Sequence, residues 1–195
     1  MNLNAYSPQI IAVACAVVLI VMLLILWGVL RQRRLRRSAE LRSHFGSEYD
    51  WAVSEYGSRR RGEAALETRL RQVERLQIRP VSAAERSRFL RDWDTIQARF
   101  LDHPRGAVTE ADELIGALMQ ARGYAGSRFE QRVGELSVNH PRVADPYRRA
   151  NAIAVRSAKG EASTEELRTA MILYRAVFEE LLQAKTIAMP RAEAA

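Results

Sequence analysis

Hydrophobic positions along this chain fall into two regimes. From residue 10 to residue 30 the sequence IIAVACAVVLIVMLLILWGVL is apolar or small throughout, 21 positions without a charge. At ~1.5 Å rise per residue that run makes a helix of about 31 Å, close to the roughly 30 Å hydrocarbon core of a bilayer. Fourteen of its residues are Leu, Ile or Val. At about −0.3 to −0.6 kcal/mol each near a helix centre, they favour insertion by roughly −4 to −8 kcal/mol as an upper estimate. One transmembrane helix is predicted over residues 10–30. Beyond it, apolar residues neither run on nor alternate for long; they recur three and four positions apart, the spacing of one face of a helix.

Caps and breakers divide the second regime. The polar stretch after residue 30 continues as helix to about Ser43, His44, Phe45 and Gly46 break it, and Ser47 caps the next segment, which carries Tyr49, Trp51, Val53 and Tyr56. Leu66, Leu70, Val73 and Leu76 form one stripe that Pro80 ends, while Gly57 and Gly62 leave open one bent helix or two. Ser82 and Glu85 have the spacing of a capping box, in which each side chain satisfies a backbone N–H at the helix start. Phe89, Trp93, Ile96 and Phe100 follow on one face, the strongest core signal in the chain. After the turn Asp102, His103 and Pro104, the residues Val108, Ala111, Ile115, Leu118 and Met119 face inward, with Gly123 as a left-handed cap. Phe129, Val133 and Leu136 mark a short helix. Another starts at His140 and Pro141 and passes Tyr147 and Ile153 to Lys159, where Gly160 closes it; Pro146 either kinks that helix or resets its start. A second capping box, Ser163 with Glu166, opens the last helix, which carries Leu167, Met171, Tyr174, Phe178, Leu181 and Leu182.

These elements predict an all-α protein: an N-terminal transmembrane helix followed by a compact cytosolic bundle of about five helices. The expected division is a short extracytoplasmic N-terminus over 1–9, the transmembrane helix over 10–30, a basic juxtamembrane segment over 31–46, the helical domain over 47–185 and a flexible tail over 186–195. The core is expected around Leu66, Leu70, Phe89, Trp93, Ile96, Phe100, Ile115, Met119, Tyr147, Tyr174 and Phe178. About 150 residues are enough for one domain with its own core.

The flanks set the orientation. Immediately after the apolar run comes RQRRLRR, five arginines in seven residues, whereas MNLNAYSPQ before it has no Lys or Arg. Positive charge concentrates on the cytoplasmic side of a span, so Arg31, Arg33, Arg34, Arg36 and Arg37 predict a cytoplasmic C-terminal bulk, and Trp27 is placed as an interfacial anchor. A cleaved secretory signal would carry its positive charge ahead of a shorter apolar region. Cys15, the only cysteine, follows Ala12, Val13 and Ala14, loosely the approach to a lipidation site, but fifteen apolar or small residues follow it. A small residue packed inside a spanning helix is the simpler reading.

Charge is uneven as well. The 195 residues carry a net +7, but residues 31–79 hold 13 arginines against seven acids while residues 80–195 hold 17 basic against 16 acidic residues. The excess lies nearest the bilayer, which makes anionic lipid head groups the nearer partner and disfavours nucleic acid. Two readings of the arginines stand, topology alone or lipid and protein recruitment in addition.

Candidate chemistry is sparse. His44, His103 and His140 are single, the last two directly before proline, where a ring nitrogen commonly meets nearby backbone. No Glu lies three residues before any of them, as a helical di-metal site would need. There is no G-x-S-x-G elbow and no phosphate-binding G-x-x-x-x-G-K-[ST] loop. No cofactor or metal is expected, and catalysis would have to come from an unfamiliar pair of carboxylates. Trp51, Tyr49 and Tyr56 are read as core or staple residues rather than a ligand cage. The run SRRRG at 58–62 is read as a solvated helix end.

The phrases LRSHFGSEYDWAV, RFLRDWDTIQARFLDHPRGAVTEADELIGALMQARGY, LSVNHPRVADPYRRANAIA and GEASTEELRTAMILYRAVFEELL, in that order, resemble an uncharacterised bacterial family of single-pass membrane-anchored, often "secreted", helical proteins. The resemblance spans nearly all of residues 41–182. It implies a cytosolic helical module behind an anchor and carries over no catalytic residue; Pro146 departs from the uninterrupted helix it would imply. The expected function is therefore a membrane-anchored interaction module, an adaptor or scaffold with a protein partner at the inner face of the membrane. An enzyme with an unrecognised acidic site and a sensor of anionic lipid are the alternatives.

Overall fold

The computed structural model describes residues 8–184, with side chains from Ala16 onward. Among these residues it is all-helical, without a strand: α1 (Pro8–Phe45), α2 (Ser47–Glu55), α3 (Arg59–Val73), α4 (Ala83–Arg99), α5 (Pro104–Ala121), α6 (Phe129–Asn139), α7 (Pro141–Ala158) and α8 (Thr164–Gln183). The tail 186–195 and all but Pro8 and Gln9 of the N-terminal segment lie outside the described residues, as does the side chain of Cys15. The chain divides into two compact units between Ser43 and His44.

The first unit consists of α1 up to Ser43. This helix is long and apolar enough to cross a membrane, with mean hydropathy 1.9 over its most apolar window and none of that window buried. No helix breaker interrupts it at the end of the apolar run, where Leu, Arg and Gln follow, all good helix formers. It continues two residues beyond Ser43 and stops at Gly46, whose φ of +54° favours glycine.

Among its described residues the second unit, from His44 onward, contains seven helices after the end of α1, where about five are expected. One boundary that the sequence leaves open adds a helix. Gly57 takes a φ of +68°, so α2 and α3 are separate helices rather than one bent one. Ser58 then caps α3, its side chain accepting from the Arg61 N–H. Gly46, not Ser47, precedes the first turn of α2, and Ser47 is already helical and makes no cap. Gly62 belongs to α3 for reasons of space, because a Cβ there would come within 2.9 Å of the Val53 nitrogen and 3.0 Å of the Ala52 carbonyl. Backbone meets backbone at that crossing. The stripe of α3 ends at Val73, ahead of Pro80, with Leu76 half-buried on the connection to α4.

Both predicted capping boxes are formed in full, Ser82 with Glu85 at α4 and Ser163 with Glu166 at α8. Their carboxylates are held below the usual range, Glu85 by the Arg79 guanidinium first and the Ser82 backbone second, and Glu166, at about 2, by the Ser163 backbone first and Arg156 second. Pro104 opens α5, and Gly123 closes it with φ +95°. The helix α7 begins at Pro141 and runs through Pro146 to Ala158, so Pro146 neither starts nor ends it. Its missing N–H forfeits one bond, to the Arg142 carbonyl.

The main core lies where α8 packs against α7 and α5, with α4 on α5 and α6 on α7. Phe89, Trp93, Ile96, Ile115, Met119, Tyr147, Tyr174 and Phe178 are buried in it, and Phe100 is half-buried at its edge. Trp93 stacks on Phe178 across α4 and α8, ring centroids 4.8 Å apart. Leu66 is fully buried but belongs with Phe45, Tyr49, Ala52 and Val73 in a smaller cluster under α2 and α3, outside the main core; Leu70 is only half-buried.

Candidate functional site

On α1, side chains from Val17 to Leu30 are exposed and the five arginines that follow are exposed too. Trp27 and Arg31 are one helical turn apart, and the guanidinium lies 5.4 Å from the indole centroid. This is a cation–π pair at the end of the apolar run, where an amphipathic indole suits a membrane boundary.

The second unit holds polar clusters that the sequence pattern did not point to. The most enclosed is centred on Glu48 in the first turn of α2, its side chain only 1% exposed. Arg148 of α7 donates to both its oxygens at 2.6 Å, and Arg69 of α3 donates to Oε1 at 2.8 Å. Both guanidiniums also face Trp51, at 3.5 Å for Arg148 and 5.5 Å for Arg69. Trp51 is therefore half-buried, a platform for two arginines rather than a core residue. Tyr49 is buried, its hydroxyl donating to Glu63 at 2.7 Å, and Tyr56 is exposed. One carboxylate joins three helices, an arrangement that fixes their register and leaves one positive charge in excess.

A second, partly buried cluster borders the main core. Arg132 of α6 donates to Asp112 of α5 at 2.6 Å, lying in a notch made by Gly116, where a Cβ would meet its Nη1 at 2.6 Å. Beside it are the fully buried Tyr147 and Tyr174, ring centroids 6.1 Å apart. Burial first, and the Asp112 charge next, push both phenols well above their ordinary pKa. Asp112 acts on both, but neither hydroxyl reaches hydrogen-bonding geometry, and the Asp112 Oδ1 is likewise unpaired. These phenols stay protonated through the physiological range, which suits donors and not nucleophiles.

Other buried groups are also engaged. Glu135 accepts the N–H groups of Ala125 and Gly126, both at 3.0 Å. Arg122, the largest fully buried side chain, donates to the Leu181 carbonyl at 2.7 Å, and Arg86 donates to that of Leu182 at 2.8 Å. Together they serve the carbonyl end of α8, where the helix dipole favours positive charge.

The histidines do not behave as simple caps. His44 Nε2 lies 2.9 Å from the Val138 carbonyl, 94 residues away in sequence. His140 is buried with Nδ1 2.9 Å from Glu180 Oε1, a carboxylate of α8 rather than neighbouring backbone. Burial is the larger influence and holds its pKa below the usual 6.5 despite Glu180. As pH falls below 6.5 the unfolded chain takes up a proton that the folded chain resists, so stability is present above that pH and is lost as pH falls towards the lower folded value. The urea midpoint of the helical unit should drop between pH 7.5 and 5.5, and His140→Gln should flatten that part of the fall. An unchanged pH profile in the variant would refute the assignment.

The surface of the helical unit also carries depressions. A cleft of about 550 Å³ lies between α3 and α6, with Arg69, Gln72, Arg128, Gln131 and Glu135 among its walls. A groove of about 200 Å³ between α4 and α8 is lined by Gln97, Phe100, Arg168, Met171, Ile172 and Arg175. Among the described residues no group of three or more His, Cys, Asp or Glu side chains is placed to hold a metal ion. No known family model, curated protein or solved structure matches the chain.

Proposed function

We propose that this chain is a membrane-anchored helical interaction module, an adaptor or scaffold whose helical unit works on the cytoplasmic face of a bacterial inner membrane. The observation that carries the reading is α1, on which exposed apolar side chains up to Leu30 give way at once to exposed arginines along one uninterrupted helix. In water that surface would be costly, since about 25 cal/mol is at stake for each Å² of apolar area left wet. In a bilayer it is satisfied, and the arginines fall on the side that positive charge prefers.

The interaction half of the reading is supported by how the helical unit uses its ionisable groups. Glu48 binds two arginines, Glu135 binds backbone N–H groups, and Glu85 and Glu166 bind helix starts, all uses that stiffen a scaffold. A unit with a mixed polar and apolar cleft between α3 and α6, and a groove that Arg168 and Arg175 help to line, is suited to holding a partner.

Alkaline extraction tests the anchoring. The full chain should stay with the membrane pellet after an alkaline wash, and a fragment beginning at Leu41 should be soluble and helical by circular dichroism. Release of the full chain by the wash, or equal membrane retention of the fragment, would refute it.

A further inference from the structure

We propose that residues 31–37 form an arginine collar around α1, a site for the phosphate groups of anionic phospholipids on every side of the helix. The proposal rests on the membrane anchoring put forward above and adds a ligand and a geometry to it.

The geometry follows from the continuity of α1, which holds the arginines on a helical lattice as they leave the apolar run. At about 100° per residue, with Arg31 at zero, Arg33 stands near 200°, Arg34 near 300°, Arg36 near 140° and Arg37 near 240°. The first four already surround the axis without Arg37. A helix built to lie flat on a membrane would gather its basic residues on one face. This one distributes them, as a helix passing through the head-group layer requires.

Depth agrees with azimuth. From Arg31 to Arg37 the axis advances about 9 Å, comparable with the roughly 5–8 Å of head groups on each side of a bilayer. Helical Cα–Cβ bonds tilt towards the N-terminus, so side chains placed after the apolar run lean back towards the membrane. Arg31 shows this lean, its guanidinium folded back over Trp27. A guanidinium can bind a phosphate through two parallel N–H donors. Arginine outnumbers lysine throughout this chain, which has only Lys159 and Lys185, so placement and not residue type carries the weight.

The test uses the full chain in nanodiscs of phosphatidylcholine with about one-fifth phosphatidylglycerol, either lipid being brominated in its acyl chains so that it quenches Trp27. Insertion appears as quenching by either lipid, and its absence would refute the anchoring itself. With insertion, the collar predicts that brominated phosphatidylglycerol quenches severalfold more per molecule than brominated phosphatidylcholine. Each arginine contributes up to about fivefold to that preference. The pairs R31Q/R34Q and R33Q/R36Q, on opposite sides of the helix, should each reduce it by comparable factors, and all four together should leave no more than the share of one arginine, Arg37. Equal quenching by the two lipids in inserted protein would overturn the proposal, as would a preference carried by one pair alone. Inorganic phosphate should reduce the preference no more than chloride at equal ionic strength; a specific loss with phosphate would assign the site to the free ion instead of the lipid.

Discussion

Replacing Trp93 by alanine should strongly destabilise the helical unit. The side chain is 4% exposed, stacks on Phe178 and joins α4 to the central helix α8. Truncating a buried Trp costs about 3–5 kcal/mol, against total stabilities of about 5–15 kcal/mol for ordinary domains. In a unit of this size that loss lowers the melting midpoint by roughly 10–15 °C. Thermal melts of the fragment beginning at Leu41, followed by circular dichroism, measure it. Ile172→Ala, at a position 64% exposed, is the control and should melt close to the parent. A Trp93→Ala fragment that melts with the parent would contradict the packing of α4 on α8.

The second large effect is expected at Glu48. Removing one member of a buried ionic cluster leaves the others uncompensated, at a cost of about 3–5 kcal/mol. Arg69 and Arg148 are each 15% exposed, so both retain some access to water and the lower end of that range is expected for Glu48→Leu. Replacing all three together, Glu48→Leu with Arg69→Met and Arg148→Met, should recover most of the loss, because no charge is then left unpaired. Urea denaturation of the three-residue and single-residue variants measures the difference. If the single variant is as stable as the parent, the cluster does not hold α2, α3 and α7 in register.

What was legible in the sequence was local. Ser82 with Glu85 and Ser163 with Glu166 lie three residues apart, and both capping boxes form as their spacing implies. The stripes of α4, α5 and α8 repeat within a single helix, so their buried faces could be read directly. The clusters could not be read in this way. Glu48 meets Arg69 at a separation of 21 residues and Arg148 at a separation of 100, and Asp112 meets Arg132 at 20; no periodicity links such positions.

The same distinction explains the smaller differences. His140 before proline suggested a ring turned to its own backbone, but the packing of α8 brings Glu180 within reach. Trp51 reads as a core or staple residue, yet tertiary contacts put two guanidiniums on its face. Ser47 had the chemistry of a cap, but the positive φ of Gly46 ended α1 one residue earlier and left Ser47 inside the next helix. Gly57 and Gly62 leave open whether α2 and α3 form one bent helix or two, and the left-handed φ of Gly57 makes them two.

The most direct test of the account is the side of the membrane on which the helical unit resides. A reporter active only in the cytoplasm, fused after Ala195 of the full chain, should be active, and one active only outside should stay silent. Neutralising Arg31, Arg33, Arg34, Arg36 and Arg37 together should weaken that preference or give mixed orientation. Activity of the external reporter alone, with the arginines intact, would contradict the account.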